Sequence, residues 1–140
     1  MRAWRFWGGA LVLAAGLAAC GAPPSDGPRP LASTVRQVGR WEGRGDATLG
    51  DIVSSSGRLR IHWQTRDAAP DGSAFTLTLH SGVSGRPLAT LVEHQGEGGG
   101  RVDFADDPRP YMIYVRAAGV AWTVWVEEEL GVYGDGPRGP

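Results

Sequence analysis

The chain contains a single cysteine, Cys20, and its position decides which covalent chemistry its thiol can do. One cysteine cannot form an intramolecular disulfide bond. Cys20 ends an apolar run over residues 6–19, which follows Arg2 and Arg5. A helix that spans a bilayer needs about 20 apolar residues, and this run is shorter. Its length and its positive flank are typical of the hydrophobic region of a secretory signal peptide.

The residues Leu17, Ala18, Ala19 and Cys20 follow one another at the end of this run, and they resemble the lipobox of bacterial lipoproteins. The resemblance covers residues 1–21. It implies that diacylglycerol is attached to Cys20 through a thioether and that the chain is cleaved between Ala19 and Cys20. It also implies acylation of the new amino terminus in many bacteria. The alternatives are a secreted protein with a chance cysteine and an uncleaved membrane anchor.

The same resemblance implies a location. Each buried CH₂ of an acyl chain contributes about 0.8 kcal/mol, so two or three chains give lasting attachment to a membrane. Gly21 follows the cysteine, where an aspartate would suggest retention at the inner membrane in many Gram-negative bacteria. We therefore expect a membrane-anchored lipoprotein of the cell envelope. The outer membrane is favoured if the cell has one, with the domain facing the periplasm or the exterior.

Charge limits the class of partner. Cleavage before Cys20 removes two of the 14 basic residues and none of the 15 acidic residues, which leaves a net charge near −3. Phosphate binding needs clustered positive charge, so this balance argues against a nucleic-acid partner. We expect the membrane, through the lipid anchor at Cys20, and an envelope protein or glycan as partners. We expect no cofactor and no bound metal.

Composition divides the chain into four regions. They are a signal peptide (1–19), a lipidated cysteine with a Pro- and Gly-rich tether (20–37), a folded domain (38–130) and a flexible C-terminal tail (131–140). The folded part is long enough for one domain and not for two. Since it contains no cysteine, packing alone must stabilise it.

Short runs of alternating apolar and polar residues dominate the folded part, and no run after Cys20 keeps a helical period. Such alternation predicts half-buried strands. The fold class we predict is all-β, a small antiparallel β-sandwich of jelly-roll type after the signal peptide. The clearest runs are 57–64, 74–80, 111–116 and 121–126, with further strands at 87–93 and 101–104 and a glycine loop at 96–100.

The order of these runs resembles the small jelly-roll domains of bacterial lipoproteins, which are similar to CUB-like and pre-peptidase C-terminal sandwiches. The resemblance covers most of residues 45–127, and it implies a binding or accessory module without catalytic residues. The chain departs from those families at Pro108-Arg109-Pro110, where a glycine is usual, and it lacks the CUB disulfides. The matching segments are Gly45–Thr48, Gly57–Trp63, Phe75–Leu79, Tyr111–Val115 and Trp122–Val126.

Bulky residues on the last two runs suggest a binding patch. If runs 111–116 and 121–126 form a hairpin, Met112 lies opposite Trp125 and Tyr114 lies diagonal to it, all on the outer face. Such aromatic surfaces stack on sugar rings or mark protein interfaces. Under two alternatives there is no exposed patch. In the first, the segment around Trp41 or the tether covers these residues. In the second, the two strands belong to different sheets. Trp41 is also a candidate member of the patch.

Two groups of residues could hold a metal ion. Asp103, Asp106 and Asp107 offer oxygen ligands that suit Ca²⁺, but their spacing matches no calcium loop, so a solvated acidic loop is the simpler interpretation. His62 and His80 both fall on polar strand faces, as zinc ligands could. A hairpin between runs 57–64 and 74–80 would keep them about 13 Å apart, which is too far for one metal.

A nucleophile is the remaining chemical possibility. Ser54-Ser55-Ser56 has no Gly-x-Ser-x-Gly elbow around it and precedes Gly57 as a turn would. Glu127-Glu128-Glu129 is most simply a solvated strand end. We therefore expect no catalytic residues and a non-enzymatic interaction or accessory module. The alternative is a carbohydrate or cell-wall binding module that uses the aromatic patch.

Overall fold

A computed structural model describes residues 33–131, and these residues form eight β-strands. The described residues contain no helix that is long and apolar enough to cross a membrane. The predicted signal peptide, Cys20 and the residues after Gly131 lie outside the described range. The strands are β1 (Thr34–Arg44), β2 (Ala47–Val53), β3 (Arg58–Arg66), β4 (Ala74–Ser81), β5 (Pro87–His94), β6 (Gly98–Ala105), β7 (Pro110–Ala118) and β8 (Ala121–Leu130).

The strands form two antiparallel sheets of four strands each, packed face to face. The first sheet has the order β1-β8-β3-β6, and the second has the order β2-β7-β4-β5. Only β4 and β5 are both consecutive and paired, so the other connections cross from one sheet to the other or run over an end of the sandwich. This is the strand order of an eight-stranded jelly roll. The predicted all-β antiparallel sandwich is confirmed.

Alternation along each strand gives the sandwich its core. Leu59 and Ile61 of β3, Phe75 of β4, Ile113 of β7 and Val124 of β8 are buried between the sheets. Trp122 is buried as well, and its indole Nε1 donates a hydrogen bond to the carbonyl of Gly45 at 2.9 Å. The polar residues between these positions point to the two outer faces, which is the pattern that half-buried strands require.

The predicted hairpin between runs 111–116 and 121–126 is wrong. β7 pairs with β2 and β4, whereas β8 pairs with β1 and β3 in the other sheet. Trp122 therefore lies opposite Thr65 and Gly43 and not opposite Val115. The hairpin between runs 57–64 and 74–80 is wrong for the same reason, since β3 and β4 belong to different sheets. Alternation fixes which face of a strand is buried, and it leaves the neighbouring strand undetermined.

Two boundaries also differ from the sequence prediction. The glycine loop predicted at 96–100 is shorter, because Gly98, Gly99 and Gly100 belong to β6 and lie opposite Thr65, Gln64 and Trp63. β1 begins at Thr34, within the segment predicted as tether. Its first residues pair with the acidic end of β8, at Glu127 to Leu130. That partner is distant in sequence, so local composition did not indicate it.

The sandwich has two distinct ends. At the terminal end, Thr34 of β1 lies opposite Leu130 of β8, so the chain enters and leaves the described domain there. The loops 54–57, 82–86 and 106–109 share this end. At the opposite end lie the connections 45–46, 67–73, 95–97 and 119–120. Gly119, in the connection between β7 and β8, has φ of +64°, a conformation that glycine adopts without strain.

Candidate functional site

The four residues of the predicted aromatic patch do not form one surface. Met112 and Tyr114 lie on the outer face of the second sheet, whereas Trp125 lies on the outer face of the first. Trp41 lies opposite the buried Val124 and packs against the core. The patch as predicted is therefore corrected, because it depended on a pairing of β7 with β8 that the fold does not contain.

The outer face of the first sheet carries a stack of three side chains from three neighbouring strands. The guanidinium of Arg40 lies 5.2 Å from the centre of the Trp125 ring. On the other side of that ring, the His62 imidazole stacks nearly parallel to it, with 4.9 Å between ring centres. His62 Nε2 also lies 2.8 Å from a carboxylate oxygen of Glu127. Trp125 is thus covered by its cross-strand neighbours and offers little open ring surface.

Ion pairs occupy the rest of this first face. Arg60 lies 3.1 Å from Glu129 and 3.9 Å from Asp103. Asp103 also lies 3.2 Å from Arg101 on the same strand. The prediction that Glu127 to Glu129 form a solvated strand end is therefore wrong, since each acid contacts a partner across the sheet. Opposite charges on neighbouring strands stabilise a sheet in this way.

The outer face of the second sheet has a different chemistry. Tyr114 is half-buried there, beside Thr48 on β2 and Thr78 on β4. The His80 ring meets the Tyr114 ring edge-on, with 4.2 Å between centres. A shallow groove of about 520 Å³ runs along these residues. Hydroxyl and aromatic groups line this groove together with two charged residues, Asp46 and Arg116.

A second groove, of about 770 Å³, adjoins the first and shares Asp46, Thr78 and Arg116 with it. Arg116 and Glu93 are exposed at its rim, and neither makes an ion pair with another residue in the range 33–131. Asp46 is held in place, because its Oδ1 accepts a hydrogen bond from the Ala117 N–H at 2.9 Å. The second face therefore presents a continuous open groove with a positive and a negative group available for contact.

A carboxylate that sequence reasoning missed lies at the terminal end of the sandwich. Glu128 is 0 % exposed and points between the sheets. Its Oε2 accepts a hydrogen bond from Arg36 at 2.5 Å. Its Oε1 is surrounded by the three serines of the β2–β3 connection: the N–H groups of Ser55 and Ser56 lie 2.6 and 2.7 Å away. The hydroxyls of Ser54, Ser55 and Ser56 lie 2.9, 3.1 and 3.0 Å from the same oxygen.

These contacts decide the ionisation of Glu128. Burial by itself raises the pKa of a carboxyl, but the hydrogen bonds from Arg36, Ser56 and Ser54 outweigh it and lower the pKa of Glu128 from 4.5 to about 2. Successive backbone N–H groups form a concave site for an anion, and here the anion is a side chain of the same protein. The three serines therefore hold the Glu128 carboxylate in place, with all three hydroxyls donating to its Oε1.

The sequence did contain a signal for this buried acid. Glu128 falls on the same face of β8 as Trp122, Val124 and Val126, because alternate residues of a strand point to one side and these face the core. A charged residue in phase with a buried apolar series indicates a paired interior group. Its partners come from β1 and from the β2–β3 connection, which the sequence alone did not place nearby.

The acidic residues 103, 106 and 107 do not converge. Asp103 belongs to β6 and pairs across the first sheet, while Asp106 and Asp107 lie 3.0 and 3.5 Å from Arg109. This loop packs on Gly57, since the Asp106 N–H donates to the Gly57 carbonyl at 2.9 Å. A Cβ at Gly57 would collide with the Asp106 carbonyl, so glycine is required where the two loops meet.

The histidines are also separated. His62 lies on the outer face of the first sheet, and His80 lies on the outer face of the second. His94 packs against Trp63, with 4.8 Å between ring centres. Within residues 33–131, no three His, Cys, Asp or Glu side chains lie close enough together to hold a metal ion.

No family model matches this chain, and no curated protein is significantly similar to it.

We predict that replacing Glu128 with Gln destabilises the fold by about 3 kcal/mol, because the neutral amide loses the charge-assisted hydrogen bonds from Arg36 and from the Ser55 and Ser56 N–H groups. The matched control is Glu129→Gln, a half-exposed neighbour whose loss should cost below about 1 kcal/mol. Urea unfolding monitored by tryptophan fluorescence measures both. Equal losses for the two variants would contradict the assignment.

The same carboxylate makes stability depend on pH. The pKa of Glu128 is lower in the folded than in the unfolded chain, so its contribution is complete above about pH 4.5 and disappears as pH falls towards about 2. The wild-type free energy of unfolding should decline over this range more steeply than that of Glu128→Gln. Parallel profiles for the two proteins would show that Glu128 is not the titrating group.

Proposed function

We propose that this chain is a lipid-anchored, non-enzymatic binding module of the cell envelope, and that the outer face of the second sheet contacts a protein partner. One observation carries the choice of face. The first outer face pairs most of its charges through a stack and ion pairs and leaves Arg58 unpaired at its terminal end, whereas the second carries the open groove around Tyr114 and Arg116. Exposed aromatic and Arg side chains are frequent anchors of protein interfaces.

The lipid anchor is proposed from the lipobox resemblance at Leu17 to Cys20. The described domain fits such an attachment, because β1 begins at Thr34, a short distance in sequence after Cys20. The domain contains no cysteine of its own, so acylation of Cys20 would remove the only thiol. Packing and the contacts of Glu128 with Arg36 and the serines 54–56 would then stabilise the domain without a disulfide bond.

A binding role is also supported by what the reactive side chains do. The serines 54–56 donate to Glu128, His62 contacts Glu127 and Trp125, and His94 packs on Trp63. Each of these groups makes a contact within the domain that contributes to its packing or its hydrogen bonding. Catalytic acids, bases and nucleophiles usually converge in one cleft, and these groups are dispersed over the sandwich.

A glycan is the second candidate ligand, and the setting of Tyr114 favours it. The edge-on contact with His80 fixes the orientation of the phenol ring. The hydroxyls of Thr48 and Thr78 lie beside that ring along the groove. A fixed aromatic face flanked by hydrogen-bonding groups is suited to a sugar ring, which presents C–H groups to the aromatic face and hydroxyls at its edge.

The protein-partner proposal predicts face-specific cross-linking in intact cells. A photo-reactive amino acid placed at Thr90, exposed on the second outer face, should give protein adducts when irradiated. The same group at Gln64, exposed on the first outer face, should give few. The variant Cys20→Ala should move to the soluble fraction and lose the Thr90 adducts. Equal adducts from both faces, or adducts only from Gln64, would contradict the proposal.

The glycan candidate predicts binding on a glycan array that depends on Tyr114. Tyr114→Ala should weaken binding by about tenfold, because an aromatic contact contributes about 0.5–1.5 kcal/mol beyond the area it buries. Trp125→Ala is the matched control, since it removes an aromatic residue from the other outer face and should leave binding unchanged. Absence of glycan binding, or an equal effect of both variants, would eliminate this candidate.

A further inference from the structure

The exposed large hydrophobic side chains within residues 33–131 are confined to one end of the domain. Within residues 33–131, the exposed large hydrophobic residues are Val35, Val53 and Val83, which are 40, 57 and 79 % exposed. Val35 lies at the start of β1, Val53 at the end of β2 and Val83 in the loop after β4. All three belong to the terminal end of the sandwich, where the chain enters from the direction of Cys20.

Two of these valines lie along one rim. Val53 pairs with Pro110 at the edge of the second sheet. The N–H of Gly82, the residue before Val83, donates to the Pro110 carbonyl at 2.8 Å. Pro110 is itself exposed. Neighbouring strands thus place Val53, Pro110 and Val83 next to one another as an apolar rim, which faces outward from the domain.

The loop that carries Val83 is held in a defined turn. The Gly85 N–H donates to the Ser81 carbonyl at 2.8 Å, and the Ser81 N–H donates to the Arg86 carbonyl at 2.9 Å. The Ser81 hydroxyl accepts hydrogen bonds from the N–H groups of Val83 and Ser84 at 3.3 Å. Val83 is therefore presented to solvent by a preorganised turn, although folding would favour burying it.

Positive charge accompanies the apolar rim. Arg58 and Arg86 are exposed at the terminal end, and neither lies within ion-pair distance of a carboxylate in the described part of the chain. Among the acidic residues of the same end, Glu128 pairs with Arg36, and Asp106 and Asp107 share Arg109. Asp51 is exposed and makes no ion pair within residues 33–131. Arg58 and Arg86 are thus the basic groups of this end that an external anion can contact.

We propose that the terminal end is a membrane-contact surface, on which Val53 and Val83 enter the interfacial region of a bilayer and Arg58 and Arg86 bind anionic lipid headgroups. Apolar side chains next to basic ones are the combination that holds proteins at anionic membrane surfaces. The proposal rests on the anchoring at Cys20 for the supply of that membrane. A few valines and arginines bind weakly alone, but an anchored domain has a high effective concentration at the bilayer.

The length of the segment between Cys20 and β1 supports a membrane as the partner of the terminal end. Residues 21–33 separate Cys20 from Thr34 and can span at most about 45 Å when fully extended. The chain joins the domain at the terminal end, so an anchor at Cys20 brings this end towards the bilayer first. When the terminal end lies on the bilayer surface, the strands point away from the membrane. The groove of the second sheet then faces sideways, where a partner can reach it.

The test uses the chain from Cys20 onward, which contains all described residues, with Cys20 coupled to a maleimide lipid in vesicles. Chemical coupling supplies the anchor, so the result does not depend on acylation in the cell. A diazirine amino acid replaces Val83 in one protein and Asp71, exposed at the opposite end, in the control. The vesicles contain phosphatidylglycerol and phosphatidylcholine, and mass spectrometry measures lipid adducts after irradiation.

Position 83 should give several-fold more lipid adducts than position 71. Equal yields, or a higher yield at position 71, would overturn the membrane-contact surface whatever the state of Cys20 in cells. In the phosphatidylglycerol vesicles, the double variant Arg58→Gln with Arg86→Gln should lower the yield at position 83 several-fold. An unchanged yield would overturn the assignment of these arginines to headgroup binding. If Cys20 is not acylated in cells but position 83 still gives lipid adducts in vesicles, the proposed anchor is wrong and the membrane-contact surface stands.

Discussion

One buried carboxylate organises the terminal end of this sandwich. Glu128 on β8 is bound by Arg36 on β1 and by the serines of the β2–β3 connection, so a single side chain joins two strands of the first sheet to the connection that comes from the second. A charge removed from water destabilises a fold unless paired and hydrogen-bonded, and here the pairing is extensive. The β6–β7 loop packs on Gly57 immediately after these serines. The carboxylate thus fixes β1 and the two neighbouring loops in one arrangement.

This arrangement separates the roles of the surfaces. The first outer face is occupied by its own contacts, with Trp125 between Arg40 and His62. The second outer face keeps an open groove around Tyr114. The terminal end carries the exposed Val35 and Val53 at strand ends and the exposed Val83 in the turn that Ser81 holds. A domain held at a membrane by one end needs that end to be rigid, because the orientation of the groove depends on it.

The sequence predicted the fold class because alternation reports burial directly. Leu59, Ile61, Phe75 and Val124 are buried as their runs indicated. Alternation carries no information on which strands are neighbours, and the jelly roll pairs strands that are distant along the chain. For that reason the patch of Met112, Tyr114 and Trp125 was expected and is divided between two faces. Glu128 was detectable from its parity with Val124 and Val126, but its partners come from other elements.

The central claim is that Glu128 is ionised inside the folded domain and that its charge holds β1 and the β2–β3 connection in place. Its titration, followed by the ¹³C chemical shift of the side-chain carboxyl in the folded protein, tests that claim most directly. The account predicts a pKa of about 2, well below the ordinary value of 4.5. A measured pKa at or above 4.5 in the folded protein would show a carboxyl that is neutral or solvated, and it would contradict the account.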